Sequence, residues 1–412
     1  MTAQVEGRPV APAGRRSGRR PLVVMPAAVP WSGTTTTDQH VAMELRAYAD
    51  VLYVDPPTSA LTRWRDPAAV RAAAGDRREL VRPGLTVLRP RTNPLMERRI
   101  GTPVAMALAR QSMRAAVRDL GSPPVHAVVL TSLSPLFGAV GERLRVFLAT
   151  DDMVAGSKLV GIEDRSLARR AMSLARSADL VAAVSPALVD SLSRHGITAT
   201  LMPNGVDAGH FRTAIDGPVD PEVARIDTGG EPLAGLVGVD GDRVDPATLE
   251  AVLDSGVHLL IVGPPQRSAS PGRLQRLLAR PEVHRAGPRT YGDLPGVLAA
   301  ADVWLLPYGN SAVNRAGFPL GALEYLAAGR RVVATDLPAV RWLDTEHIAV
   351  ADTPERFAYS VLRELSSELT AEESHRRSDF AAGHGWDARV AVLAEHMGLT
   401  TQNRRSPGAP AG

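Results

Sequence analysis

The sequence predicts an α/β protein of two domains, each a doubly wound parallel sheet with helices on both faces. Three observations support this. The chain has 412 residues, enough for two to three domains at about 150 residues each. Its apolar residues fall in short continuous runs, the pattern of strands buried on both faces rather than of a half-solvated antiparallel sheet. These runs alternate with stretches of helical period, and the alternation halts once and then resumes.

In chain order, residues 1–20 are rich in Ala, Pro, Gly and Arg, lack apolar periodicity, and read as a disordered basic tail. The first domain, 21–204, opens with a strand over Leu22–Val29. Arg19-Arg20 before it and Pro26-Ala27-Ala28 within it imitate a secretion signal, but the apolar run is only about eight residues, and a buried strand accounts for it better. Val51–Val54, Leu85–Leu88, Ala127–Leu130, Val146–Ala149, Leu180–Val184 and Thr198–Met202 read as the next strands. Helical patterns cover Gln39–Ala49, Leu95–Leu120, Arg165–Arg176 and Ala187–Arg194.

Residues 205–232, with Asp216-Gly217-Pro218 and Gly229-Gly230, show little periodicity and read as a linker. The second domain, 233–385, has strand patterns at Leu233–Val237, Leu259–Val262, Val283–Ala286, Val303–Leu306 and Arg331–Ala334. Its helices are expected at Pro246–Asp254, Gly272–Ala279, Asp293–Ala300, Pro319–Ala328 and Pro354–Leu369. A C-terminal helix over 386–400 and a disordered tail over 401–412 complete the chain. In such sheets a ligand sits at the carboxyl ends of the strands, here in the cleft between the halves.

Composition removes several chemistries. With no cysteine, there is no disulfide framework, thiolate zinc site or cysteine nucleophile. Lys158 is the sole lysine and follows no glycine-rich loop, so a Walker-type phosphate loop is absent. No G-x-S-x-G elbow marks a hydrolase. The 47 basic and 44 acidic residues nearly balance, which argues against nucleic acid as a partner. No apolar run reaches the roughly 18 residues of a membrane span, so a cytoplasmic protein is expected.

The segment Asn314-Arg315-Ala316-Gly317-Phe318-Pro319-Leu320-Gly321-Ala322-Leu323-Glu324 is a Gly/Pro loop entering a helix near Pro319, which Gly329 ends before a buried strand. A helix start offers unpaired N–H groups and a partial positive charge, which suit phosphate. Glu324, about a turn and a half further on, could accept both hydroxyls of a ribose; an ordinary surface glutamate is the alternative. Asp151-Asp152 follow a strand, where adjacent carboxylates repel and shift one another; an ordinary loop explains them too. The loop Ser32-Gly33-Thr34 leaves the first strand, Gly33 allowing close approach, with Thr37 or Asp38 able to cap the next helix.

Glu324-Tyr325-Leu326-Ala327-Ala328-Gly329 with Val332-Val333-Ala334 resembles the donor-site helix of two-domain (GT-B) glycosyltransferases. More narrowly it resembles family four and the teichuronic-acid-type enzymes of cell-surface polysaccharide synthesis. Val51-Leu52-Tyr53-Val54-Asp55-Pro56-Pro57, Ala178-Asp179-Leu180 through Ser185, Met202-Pro203-Asn204-Gly205-Val206-Asp207, Gly287-Pro288-Arg289 through Pro295, and Ala301-Asp302-Val303-Trp304 fall in the same order. The resemblance implies transfer of a sugar from a nucleotide-diphosphate sugar to a hydroxyl acceptor, with retention. It implies that Glu324 binds ribose. Arg243 or Arg289, with the stretch Asn314, Phe318, Pro319, Leu320 and Gly321, would hold the diphosphate. Asp151 and Asp152 would act in catalysis, and Ser32, Gly33 and Thr34 would face the acceptor.

The chain departs from that pattern in three places. Ala316 stands where the resembled enzymes carry a first glutamate, Pro319 where they carry glycine, and Gly321 where many carry a basic residue. A catalytically silent homologue acting as a nucleotide- or partner-binding scaffold, or an epimerase on the same fold, is the alternative function. Asp240-x-Asp242 imitates the metal-binding pair of other glycosyltransferases, but the resembled class works without it, so neither metal nor other cofactor is expected. A lipid-linked glycan acceptor and peripheral contact at the inner face of the membrane are further expectations. Arg98, Arg99, Arg110, Arg114 and Arg118 on one predicted helix are the residues for that contact, with a plain solvated face as the other reading.

Overall fold

A computed structural model of the chain describes residues 20–33, 35–57, 78–90, 101–121, 124–150, 165–238, 243–264 and 272–399. Its strands are β1 (Leu22–Pro26), β2 (Asp50–Val54), β3 (Arg78–Arg82), β4 (Leu85–Leu88), β5 (Val125–Leu130), β6 (Leu144–Ala149), β7 (Leu180–Ala183), β8 (Thr200–Leu201), β9 (Leu233–Val237), β10 (His258–Val262), β11 (Val283–Ala286), β12 (Val303–Leu306), β13 (Val332–Thr335) and β14 (Ile348–Ala351). The helices of the first part are α1 (Thr37–Leu45), α2 (Gly101–Asp119), α3 (Arg165–Ser177) and α4 (Pro186–Arg194). Those that follow are α5 (Ala208–Arg212), α6 (Pro246–Asp254), α7 (Gly272–Leu278), α8 (Leu294–Leu298), α9 (Ala312–Ala316), α10 (Leu320–Ala327), α11 (Pro338–Trp342), α12 (Pro354–Leu365), α13 (Ala371–Ala382) and α14 (Trp386–His396).

The strands form two sheets, ordered β3-β4-β2-β1-β5-β6-β7-β8 and β11-β10-β9-β12-β13-β14. The ladders from β4 across to β6 and throughout the second sheet are parallel, and β3–β4 is antiparallel, with Arg82 and Leu85 flanking a tight turn at Gly84, φ 82°. β1 and β12 are wholly buried, and β10 is buried from Leu259 on, as their apolar runs require. β1 ends at Pro26 rather than Val29: the Ala27 N–H still bonds the Val54 carbonyl at 3.0 Å, but those of Ala28 and Val29 turn to the Asp38 carboxylate instead of a neighbouring strand.

By contacts the chain forms two compact units. One is Met1–Leu148 with Ser173–Ala182 and Val390–Gly412; the other is Ala149–Met172 with Ala183–Arg389. The sequence boundary at 204 differs from this division, because 149–172 and 183–204 fall in the second unit, while the C-terminal residues from Val390 belong with the first. There His126 Nε2 lies 2.6 Å from the Met397 carbonyl oxygen. The stretch 205–232, expected as a linker, is built into the second unit. Asp207 caps α5 by accepting from the His210 N–H at 3.1 Å, Phe211 is fully buried, and His210 stacks on Tyr291 at 4.6 Å.

One packing detail sets the middle of the second sheet. Trp304 on β12 lies opposite Gly235 on β9, and a Cβ at 235 would come within 2.7 Å of the indole. That indole donates to the Leu298 carbonyl at 3.1 Å and packs against Tyr325 at 5.1 Å. The Tyr325 hydroxyl in turn accepts the Val237 N–H at 3.1 Å. Thus α10 is fixed over the carboxyl end of β9.

Candidate functional site

The site in the second unit is the loop and helix 309–329. α9 begins at Ser311, whose hydroxyl accepts from the Asn314 N–H at 3.2 Å. The chain breaks at Gly317, φ −72° and ψ 163°, and re-enters a helix after Pro319. No side chain caps α10, so its first N–H groups keep their partial positive charge for something else. α10 ends as expected at Gly329, φ 72°, where Arg330 N–H bonds the Tyr325 carbonyl at 3.0 Å and Gly329 N–H that of Leu326 at 2.8 Å.

Asn314, 3 % exposed, organises the entrance. Its Nδ2 donates to the carbonyls of Arg243 at 2.8 Å and Gly309 at 2.7 Å, and its Oδ1 accepts from Arg243 Nε at 3.0 Å. Arg243 also lies over the Tyr308 ring at 5.8 Å. Its Nη2 is 2.8 Å from where a Cβ on Gly317 would stand. The structure therefore brings Arg243, Asn314 and Gly317 together at the loop before α10. Phe318, 6 % exposed, packs edge-on to Trp342 at 6.2 Å.

Glu324 keeps part of its surface toward solvent, yet is packed closely enough that burial pushes its carboxyl up to about 7. Its charge bears on Tyr291 and Tyr325, whose hydroxyls burial pushes upward. Glu324 is therefore a closely packed carboxyl at the second turn of an uncapped helix, not a fully solvated glutamate. Gly321 lies under Tyr325, where an added Cβ would stand 3.3 Å from the ring.

Arg289, the other predicted phosphate partner, is engaged elsewhere. Nε bonds Asp220 at 2.8 Å and Nη2 bonds Glu222 at 2.5 Å, which holds Asp220 below the usual carboxylate range. Ala316, at the position of the absent first glutamate, is 4 % exposed, and its carbonyl accepts the Ser185 hydroxyl. Ser185, fully buried, also caps α4 through the Leu188 N–H at 3.1 Å. Sequence reasoning missed it as a support of this loop, although an A-A-V-S run ending a strand hints at a cap.

Asp151, Asp152 and Thr34 lie outside the described residues, as do Lys158, Asp240 and Asp242. Ser32 and Gly33 are exposed at the end of a braced segment in the first unit. There Asp38, 3 % exposed, accepts from Ala28 N–H at 2.7 Å and Thr131 Oγ1 at 2.8 Å, and Asp55, 5 % exposed, from Trp31 N–H at 2.8 Å. The cap of α1 is Thr36, paired with Gln39, rather than Thr37 or Asp38. Among the described residues no helix is long and apolar enough to cross a membrane.

Residues 243–367 match the family described as Glycosyl transferases group 1, which takes in both Arg243 and α10. The chain is also similar to TuaH of Bacillus subtilis (strain 168), provisionally named a teichuronic acid biosynthesis glycosyltransferase. The two are 27% identical over 128 residues, 30% of this chain and 32% of TuaH. The match thus spans about a third of that curated relative. Among solved structures, sucrose-phosphate synthase from Thermosynechococcus elongatus has a TM-score of 0.69 at 17% identity, covering 92% of this chain and 98% of that one. Anabaena HepE, in complex with UDP and glucose, has 0.62 at 15%, covering 92% and 99%. The fold is GT-B, as the sequence predicted.

Proposed function

We propose that this protein is a glycosyltransferase that moves a sugar from a nucleotide-diphosphate sugar to a hydroxyl acceptor in surface polysaccharide or glycoconjugate synthesis. The observation that carries the reading is Glu324, a carboxyl raised to about 7, on an uncapped helix whose entrance is organised by the Arg243–Asn314 pair. Ionised Glu324 accepts the two ribose hydroxyls. The N–H groups at 320–321 and Arg243 meet the diphosphate, whose charge grows as the sugar departs. The bond from the anomeric carbon to the diphosphate oxygen breaks, the bond to the acceptor oxygen forms on the same face, and the acceptor proton passes to the departing phosphate. Asp151 and Asp152 orient hydroxyls, and no metal is needed.

A second reading has one specific support. At Ala316 the chain has no carboxylate, and the backbone there is committed to Ser185. A silent homologue would bind donor without turning it over.

A thermal-shift panel of UDP, GDP, dTDP and ADP with their common sugars, on wild type and Glu324→Ala, tests the proposal. A ligand at 100 times its dissociation constant stabilises by about 2.7 kcal/mol. Stabilisation by one nucleotide that the substitution abolishes is expected. No shift with any nucleotide at millimolar concentration would count against the reading, and shift without release of nucleoside diphosphate from the sugar donor would favour the silent homologue.

A further inference from the structure

The second unit holds a cavity of about 670 Å³ whose lining includes Pro232, Asp302 and Arg331. Each of these immediately precedes a strand, so the cavity lies at the amino ends of β9, β12 and β13. The loop into α10 leaves the carboxyl end of β12, so the two places are at opposite ends of one sheet.

The floor of the cavity is basic and its mouth acidic. Arg331 is 6 % exposed and Arg330 is partly buried, whereas Asp216, Glu231 and Glu368 are exposed. Arg330 Nη2 donates to the Ala214 carbonyl, and its Nε is buried without a hydrogen-bond partner. Arg331 Nη2 donates to the Ser367 carbonyl at 2.5 Å and to its hydroxyl at 3.4 Å. Among the described residues neither guanidinium has an ion pair. The charge of Asp302 bears on Arg330, but its Oδ2 accepts the Leu233 N–H at 2.9 Å. Gly329 draws the turn after α10 onto this floor. A Cβ there would stand 3.0 Å from Ile215 and from Ser374, both of which line the cavity.

A guanidinium stays charged throughout the physiological range, and removing it from water is costly unless an anion faces it. Burial accordingly holds Arg330 below the usual arginine range, with Asp302 opposing. One carbonyl apiece carries only a partial charge and does not neutralise the pair. A purely structural tie would also be packed over, yet here the space beside it has the size of a metabolite site. A phosphate monoester brings about 1.5–2 negative charges and several acceptor oxygens, which guanidinium forks match in pairs. The exposed carboxylates at the mouth repel a bare anion but accept hydrogen bonds from hydroxyls. The ligand that suits both has a phosphate at one end and hydroxyls at the other.

We infer that this cavity binds a small polyhydroxy phosphate monoester, with its phosphate on Arg330 and Arg331 and its hydroxyls toward Asp216, Glu231 and Glu368. The inference does not rest on the glycosyl-transfer reading, because none of these residues belongs to the loop 309–319 or contacts Glu324.

The test is isothermal titration calorimetry of the full chain at pH 7.5 with glucose 6-phosphate, ribose 5-phosphate, glycerol 3-phosphate and inorganic phosphate. At least one ester should bind about fivefold or more tightly than inorganic phosphate. Arg330→Gln should weaken that ester about tenfold or more, the loss of a charged hydrogen bond. Arg330→Lys, which keeps the charge but not the fork, should weaken it about threefold or more and decides the matter if the glutamine variant does not fold. Glu231→Ala combined with Glu368→Ala should weaken the ester and leave inorganic phosphate bound as before or more tightly. Arg243→Ala, in the loop before α10, should leave the affinity unchanged. The proposal is overturned if no ester exceeds inorganic phosphate, if the folded Arg330 variants bind like wild type, or if the acidic substitutions leave the ester unaffected. Loss of binding in Arg243→Ala would also overturn it, by putting the phosphate at the donor loop. Failure of every nucleotide to bind would sink the donor reading and leave this result standing.

Discussion

Replacing Glu324 by glutamine should make the unliganded protein more stable at alkaline pH and useless as a nucleotide binder. An ordinary glutamate titrates at 4.5, whereas burial pushes Glu324 up to about 7. At about 1.4 kcal/mol for each pH unit, holding the ionised carboxylate in the fold costs on the order of 3 kcal/mol. The sign follows from which state binds the proton. Below 4.5 both folded and unfolded chains carry it and stability is full. As pH rises through 7 the unfolded chain has already released its proton at no cost, and the folded chain must ionise in place, so stability is lost. Glutamine has nothing to ionise. Melting curves of wild type and Glu324→Gln from pH 5 to 8 should diverge as pH rises, reaching several degrees at pH 8 for a unit of this size. A nucleotide that offers ribose hydroxyls to the ionised carboxylate would reverse the penalty, so its affinity for wild type should improve from pH 6 to 8. A gap between the two proteins that is the same at pH 5 and pH 8, or a glutamine variant less stable at pH 8, would refute the reasoning.

Other substitutions test the supports. Asn314→Ala removes a donor from the Gly309 and Arg243 carbonyls, of which the latter keeps the Gly309 N–H, and an acceptor from the Arg243 Nε; it should cost about 2–4 kcal/mol in denaturant melts and weaken nucleotide binding. Ser185→Ala removes both a helix cap and the bond to Ala316, and should cost about 1–3 kcal/mol, read by the same melts. Gly235→Ala drives a methyl against the Trp304 indole and should destabilise by about 1–3 kcal/mol, with a change in tryptophan fluorescence. His258 Nδ1 and His284 Nε2 lie 2.9 Å apart, and burial first, then His258, lowers His284 below 6.5. The unfolded chain therefore takes up a proton that the fold resists. Stability should fall as pH drops below 6.5, and His284→Gln should flatten that slope in pH-dependent melts.

The alternation of apolar runs and helical patterns placed most of both sheets, because a strand buried on both faces has no polar face to disguise it. β14 escaped notice, since Ile348-Ala349-Val350-Ala351 is short and half alanine. β3 escaped because Arg78-Glu79-Leu80-Val81-Arg82 is an exposed edge strand with no continuous apolar run. The helices α5, α9 and α11 have five residues each, too few for a period to show. Around α10, the loop–helix pattern and the resemblance singled out Glu324, Asn314 and Arg243, and the structure pairs Arg243 with Asn314 in the loop before that helix. Arg289 was legible as a basic residue but not as the partner of Asp220, because that pair is 69 residues apart and no local pattern announces it. Asp38 and Asp55 were visible only as a helix cap and a strand exit; their shared task depends on two loops meeting in space.

Gly317 offers a last lesson about what a glycine in a loop records. Its φ of −72° is open to any residue, so no backbone requirement explains it. The space beside its Cα is taken by the guanidinium of Arg243. Positions 243 and 317 therefore form a single steric unit, in which the hydrogen of one is the room for the other. Engineering either alone would disturb the loop leading into α10. Shortening Arg243 while enlarging Gly317 should recover part of the loss, a non-additivity that a double-mutant cycle would measure directly.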